Sequence, residues 1–231
     1  MLCSLKKLAE ITYCMPIRNI PKNYRNVTGV AANSKSEGKA MFESTLERDW
    51  LTLLQFSAEV ERFEVQPVKV PWFDDKGKER SYTPDALVYY HQPGHKPLLC
   101  EVKYRDELRE HWAQFKPKFQ AAYRFARERG WRFKLINEKH IRTQLLDNAK
   151  FLLPFTRRVP ADSELAPKLL NTLAKAKSCS VQELLNSIDA NPMVQAEYIP
   201  LLWYLLGTKR VGSDLTQKLT MASKVWGVAN D

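Results

Sequence analysis

Two acidic side chains and one lysine stand at a spacing that could support phosphodiester chemistry. Asp85 follows a proline, Glu101 lies sixteen positions further along, and Lys103 comes two positions after Glu101. Each acid lies in or beside an apolar stretch typical of a β-strand, and Pro93-Gly94 between the stretches predicts a hairpin. Because side chains alternate along a strand, Glu101 and Lys103 point to the same face. If the pairing brings Asp85 to that face, two carboxylates and one ammonium group converge.

This group has the chemistry of a metal-dependent nuclease site. Paired carboxylates are hard oxygen ligands for Mg²⁺, and Mn²⁺ is expected to substitute. The metal polarises a phosphate, and a lysine beside it can orient or help deprotonate the attacking water and offset charge in the transition state. The same residues are equally explained by a surface carboxylate beside a cross-strand Glu–Lys pair, so the pattern alone does not decide.

A fourth acid comes from a predicted helix upstream. Apolar residues between Phe42 and Phe56 recur close to a 3.6-residue period, which predicts an amphipathic helix with Glu43 and Glu47 one turn apart. A glutamate at the edge of the apolar stripe can reach over the strand ends and add a metal ligand. Glu43 is more simply explained as a solvated residue on the polar face.

These segments resemble the TnsA family, the endonuclease subunit of heteromeric cut-and-paste transposases. The resemblance spans about residues 16–150 and rests on four motifs in this order: residues 43–50 (ESTLERDW), 60–67 (VERFEVQP), 82–85 (YTPD) and 101–103 (EVK). It implies that Glu47, Asp85 and Glu101 bind the metal and that Lys103 assists the water. Some members carry Gln at the position of Glu101, and a carboxylate there should hold metal at least as well.

The resemblance also implies a fold, a reaction and partners. The fold is α/β, with the restriction endonuclease-like mixed sheet flanked by helices. The implied reaction is hydrolysis at the 5′ ends of the mobile element, on double-stranded DNA carrying the transposon ends. A TnsB-like transposase would cut and join the 3′ ends, and a TnsC-like ATPase regulator would dock on this subunit.

Two further stretches are expected to complete the core. The apolar pattern of residues 105–129 predicts a long helix that kinks at Pro117 and ends at Gly130. Residues 131–136 are predicted to form a strand. Residues 138–153 predict a closing helix. Basic residues of the long helix, among them Lys118, alternate with acidic ones and indicate a mostly solvated face.

The predicted organisation has four parts: a basic arm (1–40), the catalytic domain (41–153), a proline-rich linker (154–167) and a winged-helix-like domain (168–231). The chain of 231 residues has a net charge of +10, which favours a polyanionic partner. The arm holds seven basic residues against two acidic ones and could neutralise DNA phosphates, although a solvated terminal segment is an alternative. The candidate DNA-binding residues are Arg18, Lys22, Arg25, Lys35, Lys39 and, near the active site, Gln66.

The C-terminal part predicts three helices followed by a hairpin around residues 212–214, which is a winged-helix order. The third helix carries no Lys or Arg, so it lacks the donors of a base-reading helix. We interpret it as core plus a partner-docking surface with Tyr198, Trp203 and Tyr204. A purely structural role is the alternative.

Several function classes are excluded or kept open. Four scattered cysteines argue against zinc and against a disulfide framework, and the absence of long apolar runs predicts a soluble cytoplasmic protein without a membrane partner. A stand-alone restriction or repair nuclease of the same fold remains an alternative. So does a non-catalytic DNA-binding assembly factor.

Overall fold

The computed structural model of the chain describes residues 29–31, 34–38, 40–74, 76–157 and 165–228. The described residues divide into two compact units, the first lying within residues 29–47 and 59–135 and the second within residues 48–58 and 136–228. The helices that follow residue 136 pack within the second unit, and the predicted boundaries at 153 and 168 stay predictions.

A central mixed sheet organises the first unit. Up to residue 136 the strands are β1 (Gly29–Ala31), β2 (Ser36–Glu37), β3 (Ala40–Phe42), β4 (Val60–Val65), β5 (Val70–Phe73), β6 (Glu79–Tyr82), β7 (Ala86–Tyr90), β8 (Leu98–Val102) and β9 (Arg132–Ile136), and the helices are α1 (Thr45–Phe56), α2 (Arg105–Glu110) and α3 (Trp112–Glu128). The pairs β1–β3 and β5–β6 form separate two-stranded sheets. Five strands are ordered β2-β4-β7-β8-β9, with β2 parallel to β4 and the pairs β4–β7 and β7–β8 antiparallel. This confirms the predicted restriction endonuclease-like class.

The core of the first unit explains why β8 is a central strand. Every residue of β8 is buried, and Leu99 packs with Leu87 of β7 and Ala126 of α3. Strands covered on both faces read as continuous apolar runs, as β8 does apart from Glu101. A carboxylate in such a strand is therefore enclosed.

The long helix predicted for residues 105–129 is interrupted, but not at the expected position. It breaks at His111, whose φ of −111° and ψ of 18° separate α2 from α3. Pro117 lies inside α3. Since α3 restarts at Trp112, Pro117 removes only the bond to a carbonyl of the first turn, and the helix continues. Gly130, with a φ of 72°, follows the helix end as predicted.

Helices dominate the second unit. Its elements from residue 138 onward are α4 (Glu138–Ile141), α5 (Gln144–Thr156), α6 (Leu165–Ala176), β10 (Ser178–Ser180), α7 (Val181–Ile188), α8 (Pro192–Gly207), β11 (Val211–Ser213) and β12 (Lys224–Gly227). α1 contributes its residues from Arg48 onward. The three strands form an antiparallel sheet in the order β10-β12-β11. Three helices with such a sheet confirm the winged-helix-like order.

Local sequence signals account for the helix starts in this unit. Ser180 and Glu183 form the predicted capping box of α7, and Asn191 caps α8 ahead of Pro192. The predicted helix 138–153 is instead split into α4 and α5, with Asn137 capping α4. None of the described helices is long and apolar enough to cross a membrane.

The structure corrects the partner-docking prediction for α8. Tyr198 is 2 % exposed and Trp203 is 7 % exposed, and the Trp203 ring packs edge-on against Phe151 at 5.5 Å between centroids. Buried rings offer no surface to a partner, so these two residues are core. Tyr204 is half-buried, and its docking role stays a prediction.

The residues predicted to turn the final hairpin lie in a strand instead. Gly212 belongs to β11 and pairs with Trp226 of β12, whose indole ring occupies the space of a Cβ atom at residue 212. The glycine is thus explained by close packing, and the connection between the strands runs through residues 214–223. Asn148 of α5 holds that connection by hydrogen bonds to the backbone of Leu215, Gln217 and Leu219.

The predicted arm and linker are only partly described. Residues 29–31 and 36–37 form strands, so the end of the arm belongs to the sheets. α5 continues through Pro154 to Thr156, and α6 begins at Leu165. Arg18, Lys22, Arg25 and Lys39 lie outside the described residues, as do residues 158–164.

Candidate active site

The four predicted catalytic residues lie at the ends of neighbouring elements of the first unit. Ala86 pairs with Cys100, and the Asp85 N–H donates to the Cys100 carbonyl at 3.1 Å, which brings Asp85 beside Glu101. Lys103 directly follows β8, and Glu47 lies in the first turn of α1. The charges of Asp85 and Lys103 affect the pKa of both Glu47 and Glu101, so each of these two acids lies within electrostatic range of Asp85 and Lys103.

Asp85 is oriented by the backbone of the adjoining strand. Its Oδ2 accepts a hydrogen bond of 2.6 Å from the Val102 N–H. Burial raises the pKa of Asp85, while the Lys103 ammonium group and the Val102 N–H act in the opposite direction. The carboxylate is therefore held in one orientation in surroundings that disfavour its charge.

Glu47 is tied to the start of α1. Its two oxygens accept hydrogen bonds from the Glu43 N–H (2.8 Å) and the Ser44 hydroxyl (2.9 Å), and the Ser44 hydroxyl accepts from the Glu47 N–H at 3.1 Å. These bonds satisfy donors at a helix N-terminus, a structural role that alone would explain the residue. Burial and the nearby Asp85 carboxylate nevertheless raise the pKa of Glu47 to about 7.

Glu101 is the most enclosed acid of the group, with 3 % of the residue exposed. Its Oε1 lies 3.4 Å from the Lys118 Nζ and 3.7 Å from the Lys103 Nζ. Its Oε2 is buried and has no hydrogen-bond partner among the described residues. Burial and the Asp85 carboxylate raise the pKa of Glu101 to about 8.

Lys103 stays a cation in this setting. Burial disfavours its charge, but the carboxylates of Asp85 and Glu101 outweigh that effect and raise the pKa of Lys103. A protonated lysine donates hydrogen bonds and offers positive charge, and it does not accept a proton.

Sequence reasoning missed two side chains that border the site. The Tyr82 hydroxyl is buried without a partner in the described part of the chain, and burial together with Glu101 and Asp85 raises the pKa of Tyr82. Tyr82 belongs to the YTPD motif, three residues before Asp85, so the sequence could have indicated that it lies near the site. Lys118 comes from α3, and nothing in its local sequence distinguishes it from the solvated lysines of that helix.

Two predicted DNA-binding residues are described, and both are engaged by the fold. The Lys35 ammonium group donates to the Val60 carbonyl at 2.7 Å. Gln66 is 6 % exposed and has a left-handed φ of 51°, and its N–H donates to the Asp85 carbonyl at 3.0 Å. Its Oε1 is buried with no described partner. Contact of either residue with DNA stays a prediction.

The acids of the site fit a divalent cation in their chemistry, although not in their present arrangement. Among the described residues, no group of three or more His, Cys, Asp or Glu is arranged so that it could hold a metal ion. The chemistry of the residues nonetheless fits. Glu47, Asp85 and Glu101 are hard oxygen donors whose pKa values are raised by burial, and Glu101 keeps one buried oxygen without a partner. A nearby divalent charge would stabilise their ionised forms.

A mixed sheet with carboxylates and a lysine at its strand ends defines a restriction endonuclease-like protein. The family described as TnsA-like endonuclease N terminal matches residues 57–138, which include Asp85, Glu101 and Lys103. The family described as TnsA endonuclease C terminal matches residues 140–215. The chain therefore belongs to the TnsA family of endonucleases. No curated protein matches the chain significantly.

Proposed function

We propose that this chain is the metal-dependent endonuclease subunit of a transposase that hydrolyses phosphodiester bonds at the 5′ ends of a transposable element during cut-and-paste transposition. The observation that carries the proposal is the convergence of Asp85, Glu101 and Lys103 in a site where burial raises the pKa of both acids. Perturbed groups of this kind cluster at functional sites.

The three acids and the lysine have different roles in the proposed reaction. Glu47, Asp85 and Glu101 would hold Mg²⁺, for which Mn²⁺ would substitute. When bound, the metal would supply positive charge to polarise the scissile phosphate and favour ionisation of a water. The Val102 N–H keeps Asp85 oriented, so that little reorganisation is needed when the phosphate arrives.

Lys103 would donate a hydrogen bond to the phosphate and offset the charge that accumulates as the water oxygen bonds to phosphorus. The attacking water gives up a proton to solvent, the bond from phosphorus to the leaving sugar oxygen breaks, and that oxygen takes up a proton from solvent. Because the two acids raise the pKa of Lys103, we assign it the role of a charged donor. A general-base role would require it to lose its proton.

The proposed partners follow from the family and from charge. Double-stranded DNA at the transposon ends is the substrate, and the net charge of +10 supports a polyanionic ligand. A TnsB-like transposase would cut the other strand, and a TnsC-like ATPase would regulate the complex. Candidate phosphate contacts remain Arg18, Lys22, Arg25, Lys35 and Lys39, with Gln66 near the cleaved bond.

Strand-resolved cleavage tests the proposal. Donor DNA carrying both element ends is incubated with the chain, its transposase and ATPase partners, ATP and Mg²⁺, and both strands are followed. Asp85→Ala should abolish the 5′-strand cuts and leave the 3′-strand cuts. Asp106→Ala, at an acid whose side chain is 94 % exposed, is the matched control and should cut like the native chain.

Other outcomes separate the alternatives. Unchanged 5′ cutting by Asp85→Ala would show that the nuclease lies elsewhere and that the chain serves assembly. Efficient cutting of bare DNA without partners would instead indicate a stand-alone nuclease.

A further inference from the structure

Lys118 enters the candidate site from a different element than the motif residues. It lies on α3, and its side chain is only 17 % exposed, whereas Lys116 on the same helix is exposed. The Lys118 Nζ is 3.4 Å from Glu101 Oε1 and forms a hydrogen bond with it. A lysine interpreted from sequence as solvated is therefore part of the buried charge cluster.

Aromatic rings hold this ammonium group in place. The Nζ lies 4.6 Å from the ring centroid of Phe115 and 5.0 Å from those of Tyr82 and Phe119. A cation facing aromatic rings at these distances is attracted by their π-electrons. The three rings therefore favour one position for the charge, beside Glu101.

Two ammonium groups consequently share one carboxylate oxygen. Lys103 and Lys118 both approach Glu101 Oε1, and Lys118 also offsets the negative charge of Asp85. Any divalent cation bound by Asp85 and Glu101 would experience the repulsion of both lysines. At separations of a few ångströms this repulsion is large enough to change an affinity severalfold.

We propose that Lys118 is a positioning residue of the site, which holds Glu101 as a built-in counter-cation and thereby sets the affinity for the divalent metal. The inference rests on the proposed metal-dependent function. Lys103 belongs to the sequence motif, whereas Lys118 would adjust the strength of the same site from α3. Removing its charge should tighten metal binding.

The test is a calorimetric titration of the full chain with Mn²⁺, without DNA and at fixed pH and salt. Lys118→Met keeps the length of the side chain and suits an aromatic surround. We expect it to bind Mn²⁺ about 3- to 30-fold more tightly than the native chain, given the screened repulsion of one charge a few ångströms away. Lys118→Arg and the exposed control Lys116→Met should remain near the native affinity.

The readout separates a charge effect from damage to the fold, because a disrupted site would bind Mn²⁺ more weakly. Unchanged or weaker binding by Lys118→Met, at an unchanged melting temperature, overturns the inference. Lys118→Gln provides a second neutral variant. If neither neutral variant melts within a few degrees of the native chain, Lys118 is a structural residue and the inference is also overturned.

Asp85→Ala distinguishes this failure from failure of the proposed function. Binding by the native chain and loss of binding in Asp85→Ala, together with native affinity in Lys118→Met, would remove only the role of Lys118. No Mn²⁺ binding by the native chain would remove both the metal site and the inference.

Discussion

Asp49 in the second unit and Glu101 in the first are each 3 % exposed, yet their surroundings differ. Asp49 Oδ1 lies 2.8 Å from Lys150 Nζ and 3.3 Å from an Arg48 nitrogen, and its Oδ2 lies 3.5 Å from Arg142 Nε. Both of its oxygens therefore face cations. Glu101 places both lysines on one oxygen and leaves the other without a described partner.

The buried amides differ in the same way. Asn148 bonds three backbone groups of the loop that joins β11 to β12, and its Oδ1 also accepts from Gln144. Gln66 is similarly buried, but its Oε1 has no partner among the described residues, and its backbone is left-handed. Buried polar groups are normally satisfied, and exceptions concentrate where a ligand completes them. Asp49 and Asn148 of the second unit therefore have partners for their side-chain oxygens, whereas Glu101 and Gln66 of the first unit each keep one buried oxygen without a described partner.

The largest expected effect comes from replacing Glu101, the buried acid that has one oxygen without a described partner. Glu101→Ala should lower 5′-strand cleavage by about 100- to 1,000-fold, because a metal ligand and its charge are lost. Glu101→Gln should lose less than about 10-fold, since an amide oxygen can still bind the cation. Single-turnover cleavage measures both. Equal losses in the two variants would show that the charge, rather than an oxygen ligand, is what the site needs.

A loss of stability is expected when Asn148, whose amide bonds three backbone groups, is replaced. Asn148→Ala leaves two carbonyls and one N–H of the connecting loop without their partner, which should cost about 2–3 kcal/mol. Urea denaturation followed by tryptophan fluorescence measures the change. Asn186→Ala, at an exposed asparagine of α7, is the control and should change stability by less than about 0.5 kcal/mol. A loss of the same size in both would contradict the role of Asn148.

A smaller loss of stability is expected when Asp49, the acid that faces cations with both oxygens, is replaced. Asp49→Asn removes a charge that faces three cations, and it should cost about 1–2 kcal/mol because those cations are partly exposed and screened. Asp106→Asn, at an exposed acid, should be neutral in the same denaturation experiment. If Glu101→Gln destabilised the chain more than Asp49→Asn, the contrast between the two acids would not hold.

A pH dependence of stability is also expected without metal. Glu47 and Glu101 have pKa values of about 7 and about 8 in the folded chain, against 4.5 for an unperturbed carboxyl group. The folded state therefore binds more protons between these values, and its stability falls as pH rises through that window. At about 1.4 kcal/mol for each pKa unit, the change between pH 6 and pH 9 should be on the order of a few kcal/mol. Thermal melts measure it, and Glu101→Gln should flatten the slope.

Much of the site was predictable because its determinants are local. Alternation along β8 directs Glu101 and Lys103 to one face, and the hairpin at Pro93-Gly94 brings β7 alongside. The capping pattern at Ser180 and the glycine at residue 130 likewise marked helix boundaries. These features depend on neighbouring residues or on a short loop, which a sequence pattern records directly.

Other predictions failed where packing outweighed local signals. Tyr198 and Trp203 looked like a docking face because α8 is apolar around much of its circumference, but the unit buries both rings. Gly212 looked like a turn residue, yet it lies under the Trp226 ring. The helix interruption falls at His111 and not at the proline. In each case the residue type was informative, but the sequence did not show which distant residue packs against it.

The sequence by itself determined the α/β class, the hairpin that carries Asp85, Glu101 and Lys103, and the helix and strand order of the C-terminal module. Only the tertiary structure decided that Lys118 joins Glu101, that one oxygen of Glu101 has no partner among the described residues, and that three cations lie beside Asp49. The physical reason is that periodicity and capping act within a few residues. Burial and charge pairing depend on side chains that meet only when distant segments pack together.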